Sequence, residues 1–153
     1  MTGRLVTIGH DATVAEAWSI MQRRRVRHLP VLDPDRRLIG MLTEHDLRVV
    51  ILDRWARGEP DGLARTLGGS RVNEIMTWAV VTLSPDADLR DAARIMHDHN
   101  LGALPVAEEG RVIGMLTASD VIRAVLGAPG GSRVRPRSPI SGEHPSSTQT
   151  GGR

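Results

Sequence analysis

Apolar and polar positions follow two rhythms along the chain, and the whole series occurs twice. Val14, Ala17, Trp18 and Met21 recur at helical spacing, as do Leu89, Ala92, Ala93 and Met96. HLPVL at 28–32 and ALPVA at 103–107 are short apolar runs of buried-strand type, each with a proline that suits a strand start or an edge. RLIGML at 37–42 and RVIGML at 111–116 predict the strands that follow, and 5–8 and 80–83 predict a short opening strand for each half. Helical spacing returns with Leu47, Val50 and Ile51, and again with Val121, Val125 and Leu126, after which Gly127 suits a helix stop. Each half therefore predicts strand, helix, strand, strand, helix. Local signals agree. Thr13 with Glu16 forms a capping box, Asp88 with Asp91 imitates one, and Pro34–Asp35 and Glu109–Gly110 supply turns.

The two series are offset by 75 residues from MTGRLVT and MTWAVVT through the LPV strands, and by 74 at the blocks GMLTEHD (40–46) and GMLTASD (114–120). The residue lost between them falls in the turn, where DPDRR faces EEGR; a turn tolerates such a change best. The expected organisation is a first repeat at 1–52, a linker with a short helix at 53–75, a second repeat at 76–127, and a tail at 128–153. About 50 residues is marginal for an independent core, so the repeats are expected to pack together about a pseudo-twofold axis. The tail is rich in Gly, Pro, Ser and Arg with almost no bulky apolar residue, and disorder is expected there. The fold class expected is α+β.

Composition narrows the chemistry. With no Cys, Phe or Tyr among 153 residues, the core must be aliphatic with Met as filler, and thiolate chemistry is excluded. The absence of Cys fits a reducing compartment, and no stretch approaches a membrane span, so a cytoplasmic location is expected. The sequence pI of about 10.7 suggests nucleic acid, but the charge is misplaced for it. Arg133, Arg135, Arg137 and Arg153 against Glu143 alone make the tail +3, so the remainder of a chain that is +2 overall carries −1. The only aromatic residues are Trp18, Trp55 and Trp78, so the aromatic interleaving that base stacking needs is absent too, and no nucleic-acid partner is expected. No nucleophile elbow, Walker loop, Schiff-base lysine or convincing metal set appears. His97 and His99, two apart on a helix, point to different faces.

The duplicated G-x-x-T-x-x-D block has two readings. Thr43 and Thr117 lie where a strand hands over to a helix, with Asp46 and Asp120 one turn in; this is a close variant of a capping box. It is also a ligand-binding arrangement. Backbone N–H groups at a helix start favour phosphate, and a carboxylate there can accept from both hydroxyls of a ribose, as acidic residues do in dinucleotide folds. Gly40 and Gly114 let backbone approach closely, and Met41 and Met115 suit packing on a purine.

Two copies of this unit, each with a V-T opening, an LPV strand and a G-x-x-T-x-x-D block, resemble a tandem pair of cystathionine β-synthase (CBS) domains over 1–126. The resemblance implies a regulatory module, not an enzyme, that binds an adenosine-containing ligand (AMP, ADP, ATP or S-adenosylmethionine) in a cleft between the repeats. It implies no catalytic cofactor. By the same resemblance, one site uses Met41, Thr43, His45 and Asp46, with Arg27 above a phosphate and Thr77, Thr82 and Leu101 from the other half. The second uses Met115, Thr117, Ser119 and Asp120, with Thr2, Thr7 and Val26; Gly102 stands where the first repeat has Arg27. The other arginines at that helix end, Arg23, Arg24 and Arg25, suit the helix dipole. His28 and His45 are expected near the cleft, where His28 reads as a strand surface residue with no chemical role. The apolar faces of the last helices, with Leu47, Val50, Val121 and Val125, predict a homodimer, and output through an unknown effector protein. The alternative is a dimerisation or interaction module that binds no ligand.

Overall fold

The computed structural model describes residues 5–58, 65 and 67–127. Thr2, the stretch around Pro60 and the tail from residue 128 lie outside the described residues. In chain order the elements are β1 (Ile8–Gly9), α1 (Val14–Arg24), β2 (His28–Leu32), β3 (Leu38–Thr43), α2 (Glu44–Ala56), α3 (Val72–Ile75), β4 (Thr77–Trp78), α4 (Leu89–Asp98), β5 (Ala103–Glu108), β6 (Arg111–Thr117) and α5 (Ala118–Gly127). The fold is mixed α+β and repeats one strand–helix unit. The chain divides into two compact units. One spans Val6–Val80; the other takes the described residues from Val81 onward together with Leu5.

In the first unit a four-stranded sheet runs β1-β2-β3-β4. β1 pairs parallel to β2 through Ile8↔Val31 and Gly9↔Leu32, and β3 pairs antiparallel to β2, with His28↔Thr43, Pro30↔Met41 and Val31↔Gly40. β1 reaches only Val31 and Leu32, so β2 is still an edge at Pro30, as a proline requires. β4 adds to the other side of β3 through Gly40↔Trp78 and Met41↔Thr77. The opening strands are thus shorter than 5–8 and 80–83 predict. The sequence repeat begins again at Met76, yet Thr77 and Trp78 complete the first unit's sheet. In the second unit β5 and β6 pair antiparallel, and Leu83 adds a single parallel bridge to Val106. The register shifts after Val31 and after Val106, one repeat apart, so the bulge is duplicated with the strands.

Each unit has its own core on the helical side of its sheet. Val14, Ala17, Met21, Leu29, Val31, Leu42, Leu47 and Val72 pack in the first, and Leu83, Leu89, Ala92, Met96, Leu104, Val106, Leu116 and Val121 in the second. The end of the expected linker belongs to the first core. Val72 is fully buried, Val14 N–H donates to the Ser70 carbonyl at 2.9 Å, and Val72 N–H donates to Ala12 at 2.8 Å.

Several local expectations need correction. Thr13 and Glu16 form both halves of a capping box, but Asp88 only accepts from Arg90 N–H at 2.7 Å, while Asp91 pairs with Arg94. The N3 aspartate there is engaged by Arg94 at 3.3 Å instead of by the helix start. Of the four residues expected on the apolar faces of the last helices, Val125 is exposed and Val50 half-buried, but Leu47 and Val121 face the core. The exposed apolar side chains are Val49, Leu52 and Trp55 on α2 and Ile122, Val125 and Leu126 on α5.

Candidate functional site

The two G-x-x-T-x-x-D blocks fold into the same turn. β3 ends at Thr43, whose extended backbone is the N-cap of α2. Thr43 N–H and Thr43 Oγ1 both donate to Asp46 Oδ2 at 2.8 Å, and Asp46 N–H donates back to Thr43 Oγ1 at 3.1 Å. In the second unit Thr117 N–H and Oγ1 donate to Asp120 Oδ2 at 3.0 and 2.8 Å, and Asp120 N–H returns to Thr117 Oγ1 at 3.2 Å. The capping reading therefore holds at both turns. It leaves room for the other reading, because only one carboxylate oxygen is used. Asp46 Oδ1 has no partner among the described residues, and Asp120 Oδ1 has only Arg123 Nη1 at 3.4 Å.

The backbone contributes fewer donors than a bare helix start would. Glu44 N–H is taken by the Arg27 carbonyl and Ala118 N–H by the Gly102 carbonyl, each at 2.9 Å. Asp46 and Asp120 N–H are taken by the caps. A phosphate at either turn would rely on side chains more than on the free N–H groups that anion sites at helix starts usually offer.

Register fixes which candidates share a face. Leu29, Val31 and Leu42 are in the core, so their alternates His28, Pro30, Met41 and Thr43 lie on the opposite face of the first sheet, and Thr77 joins them opposite Met41. Met115 and Thr117 lie on the corresponding face of the second sheet, with Pro105 and Ala103 as their partners. Met41 is buried, Thr43 and Asp46 are half-buried, and His45, Thr77, Thr82, Gly102 and Ser119 are exposed. Thr77 thus stands with Met41 in the first unit, as do Thr7, Val26, Arg27, Thr43, His45 and Asp46. Thr82, Leu101, Gly102, Met115, Thr117, Ser119 and Asp120 are in the second.

Three residues have a role besides the one the resemblance gives them. Val26 and Leu101 each follow a residue in left-handed conformation, Arg25 and Asn100, and send their N–H back to Met21 at 3.2 Å and Met96 at 2.8 Å, closing the preceding helix. Gly40 makes room for protein: a Cβ there would lie 2.6 Å from Met76 Sδ and 2.9 Å from the Thr77 carbonyl oxygen.

Sequence reasoning names Arg27 at the first turn but passes over Glu44 and Arg48. Glu44 pairs with Arg27 at 3.5 Å and with Arg48 at 3.1 Å. His28 is half-buried opposite Thr43. Burial, and then the Arg27 guanidinium, hold its pKa below the ordinary histidine value, while Asp46 pulls the other way. The signal was the register of HLPVL against LIGMLT, which brings His28 to the turn. Among the described residues no group of three His, Asp or Glu could hold a metal ion, and no helix is long and apolar enough to cross a membrane.

Comparison with known proteins agrees with this picture. The family model of the CBS domain matches residues 1–53 and 72–127. A CBS domain-containing protein of Dictyostelium discoideum is 32% identical over 127 residues, covering 82% of this chain and 88% of its own. A homoserine O-acetyltransferase of Methanohalobium evestigatum is 32% identical over 122 residues, but the chain spans only 22% of that protein's length. Among solved structures, CBSX2 in complex with AMP aligns with a TM-score of 0.66 at 27% identity, over 80% of this chain and 87% of its own. The CBS domain pair of protein MJ0100, in complex with 5′-methylthioadenosine and S-adenosyl-L-methionine, aligns with a TM-score of 0.64 at 26% identity, over 80% and 89%. With both halves matched and the same turn closing each, the chain belongs to the CBS domain family as a tandem pair.

Proposed function

We propose that this chain is a regulatory module that binds an adenosine-containing ligand (AMP, ADP, ATP or S-adenosylmethionine) and passes its occupancy to an effector protein as a change of shape or self-association. One observation carries the reading. In both units the cap holds an aspartate rigidly by Oδ2; Asp46 Oδ1 then has no partner among the described residues, and Asp120 Oδ1 has only a 3.4 Å contact from Arg123 at the surface, which a ligand can displace. A carboxylate fixed in this way suits the paired hydroxyls of a ribose, because its orientation is set before the ligand arrives. Met41 and Met115 lie on the same sheet face as Thr43 and Thr117, where a polarisable side chain suits a purine. The adenosine compounds bound by two similar CBS structures support the class of ligand.

A thermal-shift and calorimetric panel of AMP, ADP, ATP, S-adenosylmethionine and adenosine tests it. A ligand that binds only the folded chain stabilises it by about 2.7 kcal/mol at a hundred times its dissociation constant. Asp46→Asn and Asp120→Asn should each weaken one class of site. No shift and no heat with any of these compounds would refute the reading.

The exposed stripes on α2 and α5 favour a second role alongside it. Leu52 and Trp55 are 63% and 62% exposed, and Val125 and Leu126 are 65% and 82% exposed. Apolar surface of this kind suits a homodimer, which sedimentation at rising concentration would detect. A dimer with no affinity for any adenosine compound would leave the interaction-module reading in its place.

A further inference from the structure

The two turns are alike in their own hydrogen bonds and unlike in their surroundings. The first is ringed by Arg27, His28, Glu44 and Arg48; the positions one repeat later are Gly102, Ala103, Ala118 and Ile122. Every charged or titratable member of the first set is replaced by a residue without charge. The only described cation paired at the second turn is Arg123, whose guanidinium lies on Asp120 Oδ1 at 3.4 Å, and Ile122 beside it is 58% exposed.

At the first turn the cations are available. Glu44 is shared between two guanidiniums, and the Arg27 side chain is 79% exposed, so its 3.5 Å pair with Glu44 is a weak surface contact. A phosphate offers a guanidinium a forked, more strongly charged partner than that shared carboxylate. A ribose held through its 2′ and 3′ hydroxyls by Asp46 carries its 5′ group one sugar ring away, within reach of the long side chains of Arg27 and Arg48. At the second turn the same 5′ group would meet Gly102, Ala118 and Ile122. A phosphate would lose water there, and the one cation paired at that turn among the described residues, Arg123, lies on the ribose-binding carboxylate of Asp120 itself. At the first turn, by contrast, two arginines share Glu44 and leave Asp46 alone. A hydroxyl or thioether loses little at the second turn.

The geometry points to a division of labour by ligand charge: the first turn takes a 5′-phosphorylated adenosine, and the second takes an adenosine whose 5′ group is uncharged. This rests on the reading of the two turns as ribose sites. Arg27 is the specificity-determining residue of the first, and Gly102 is its counterpart in the second.

Calorimetry with AMP, adenosine and 5′-methylthioadenosine decides it. Wild type should show two classes of site. Asp120→Asn, which keeps the first turn, should prefer AMP to 5′-methylthioadenosine by at least about tenfold, and Asp46→Asn should reverse that order. Because either change could weaken a helix cap, Arg27→Ala provides a second arm at an exposed position. It should lower the affinity of the AMP-preferring site about tenfold and leave adenosine binding unchanged. Equal affinities of AMP and adenosine at the first turn, or an equal loss of both in Arg27→Ala, would overturn the assignment while leaving the ribose sites standing. Failure of all three compounds to bind wild type would overturn the ribose reading and this assignment with it.

Discussion

Gly40 and Met76 are packed so closely that a methyl group on Gly40 would lie 2.6 Å from the Met76 sulfur. The backbone closes in as well, with the Thr77 carbonyl oxygen 2.9 Å from the same point. Gly40 therefore admits β4 to the edge of β3, where Trp78 pairs with Gly40 and Thr77 with Met41. A flexible thioether can move, but a backbone carbonyl in a sheet moves only with its strand. Gly40→Ala should therefore destabilise the chain by about 1–3 kcal/mol, the usual cost of overpacking. Urea denaturation checks this, and an unchanged midpoint would show that β4 is held by something other than the close approach at Gly40.

The Thr–Asp turns join stability to binding, and two substitutions separate them. Thr43→Ala removes the hydroxyl that accepts from Asp46 N–H and donates to Asp46 Oδ2, and should cost about 1 kcal/mol. Thr43→Ser keeps both bonds and should restore most of that stability. If Asp46 is held in place by its cap, Thr43→Ala should also weaken ligand binding, since the carboxylate is no longer fixed, and Thr43→Ser should recover it. Binding that survives Thr43→Ala at full strength would mean that the cap does not position Asp46.

His28 gives the first unit a pH dependence that the second lacks at Ala103. In the folded chain its pKa lies below the ordinary value of 6.5, chiefly through burial and then through Arg27. The unfolded chain then binds more protons than the folded one as pH falls below that value, so stability falls with it. The contribution of His28 is complete above pH 6.5 and is lost on the way down to the folded pKa, below which both states are protonated and the dependence flattens. Denaturant melts of wild type and His28→Gln at intervals from pH 8 to pH 5 should converge at neutral pH, relative to their own plateau, and separate below it. Parallel curves throughout would show that His28 is as solvated folded as unfolded.

What the sequence shows depends on how local the cause is. The Thr13, Thr43 and Thr117 caps and the Glu109–Gly110 turn each depend on residues within four positions, and their residue types announce them. The repeat is legible because it is a comparison of the chain with itself. The pairing of Thr77–Trp78 with Gly40–Met41 is not, because it joins segments far apart in sequence and its signal, a glycine facing a methionine, has no period. Helical spacing alone does not say which apolar residue of the last helices faces the core: Leu47 and Val50 both fit it, and only the neighbours in space decide that Leu47 is buried. The half-buried place of His28 opposite Thr43 comes from strand register, which no local signal announces.

The ends of α1 and α4 show how the repeats have diverged at a strained position. Both helices close through a residue in left-handed conformation, Arg25 with φ of 54° and Asn100 with φ of 53°. Arg25 N–H bonds to the Met21 carbonyl, and the following N–H, of Val26, reaches the same oxygen at 3.2 Å. Asparagine tolerates this conformation because its short polar side chain can bond locally; arginine has a full Cβ crowding the carbonyl and no such relief, at a cost of about 1–2 kcal/mol. Glycine removes the crowding but adds freedom to the unfolded chain, which offsets roughly half of that gain. Arg25→Gly should therefore stabilise the protein by about 0.5–1 kcal/mol, and Arg25→Asn by a similar amount, while the reverse change Asn100→Arg should destabilise it. Arg25 is exposed, so no core packing confuses the comparison. Equilibrium denaturation of the three variants checks the signs, and a loss of stability in Arg25→Gly would mean that the arginine side chain contributes more at that helix end than the strain of its backbone removes.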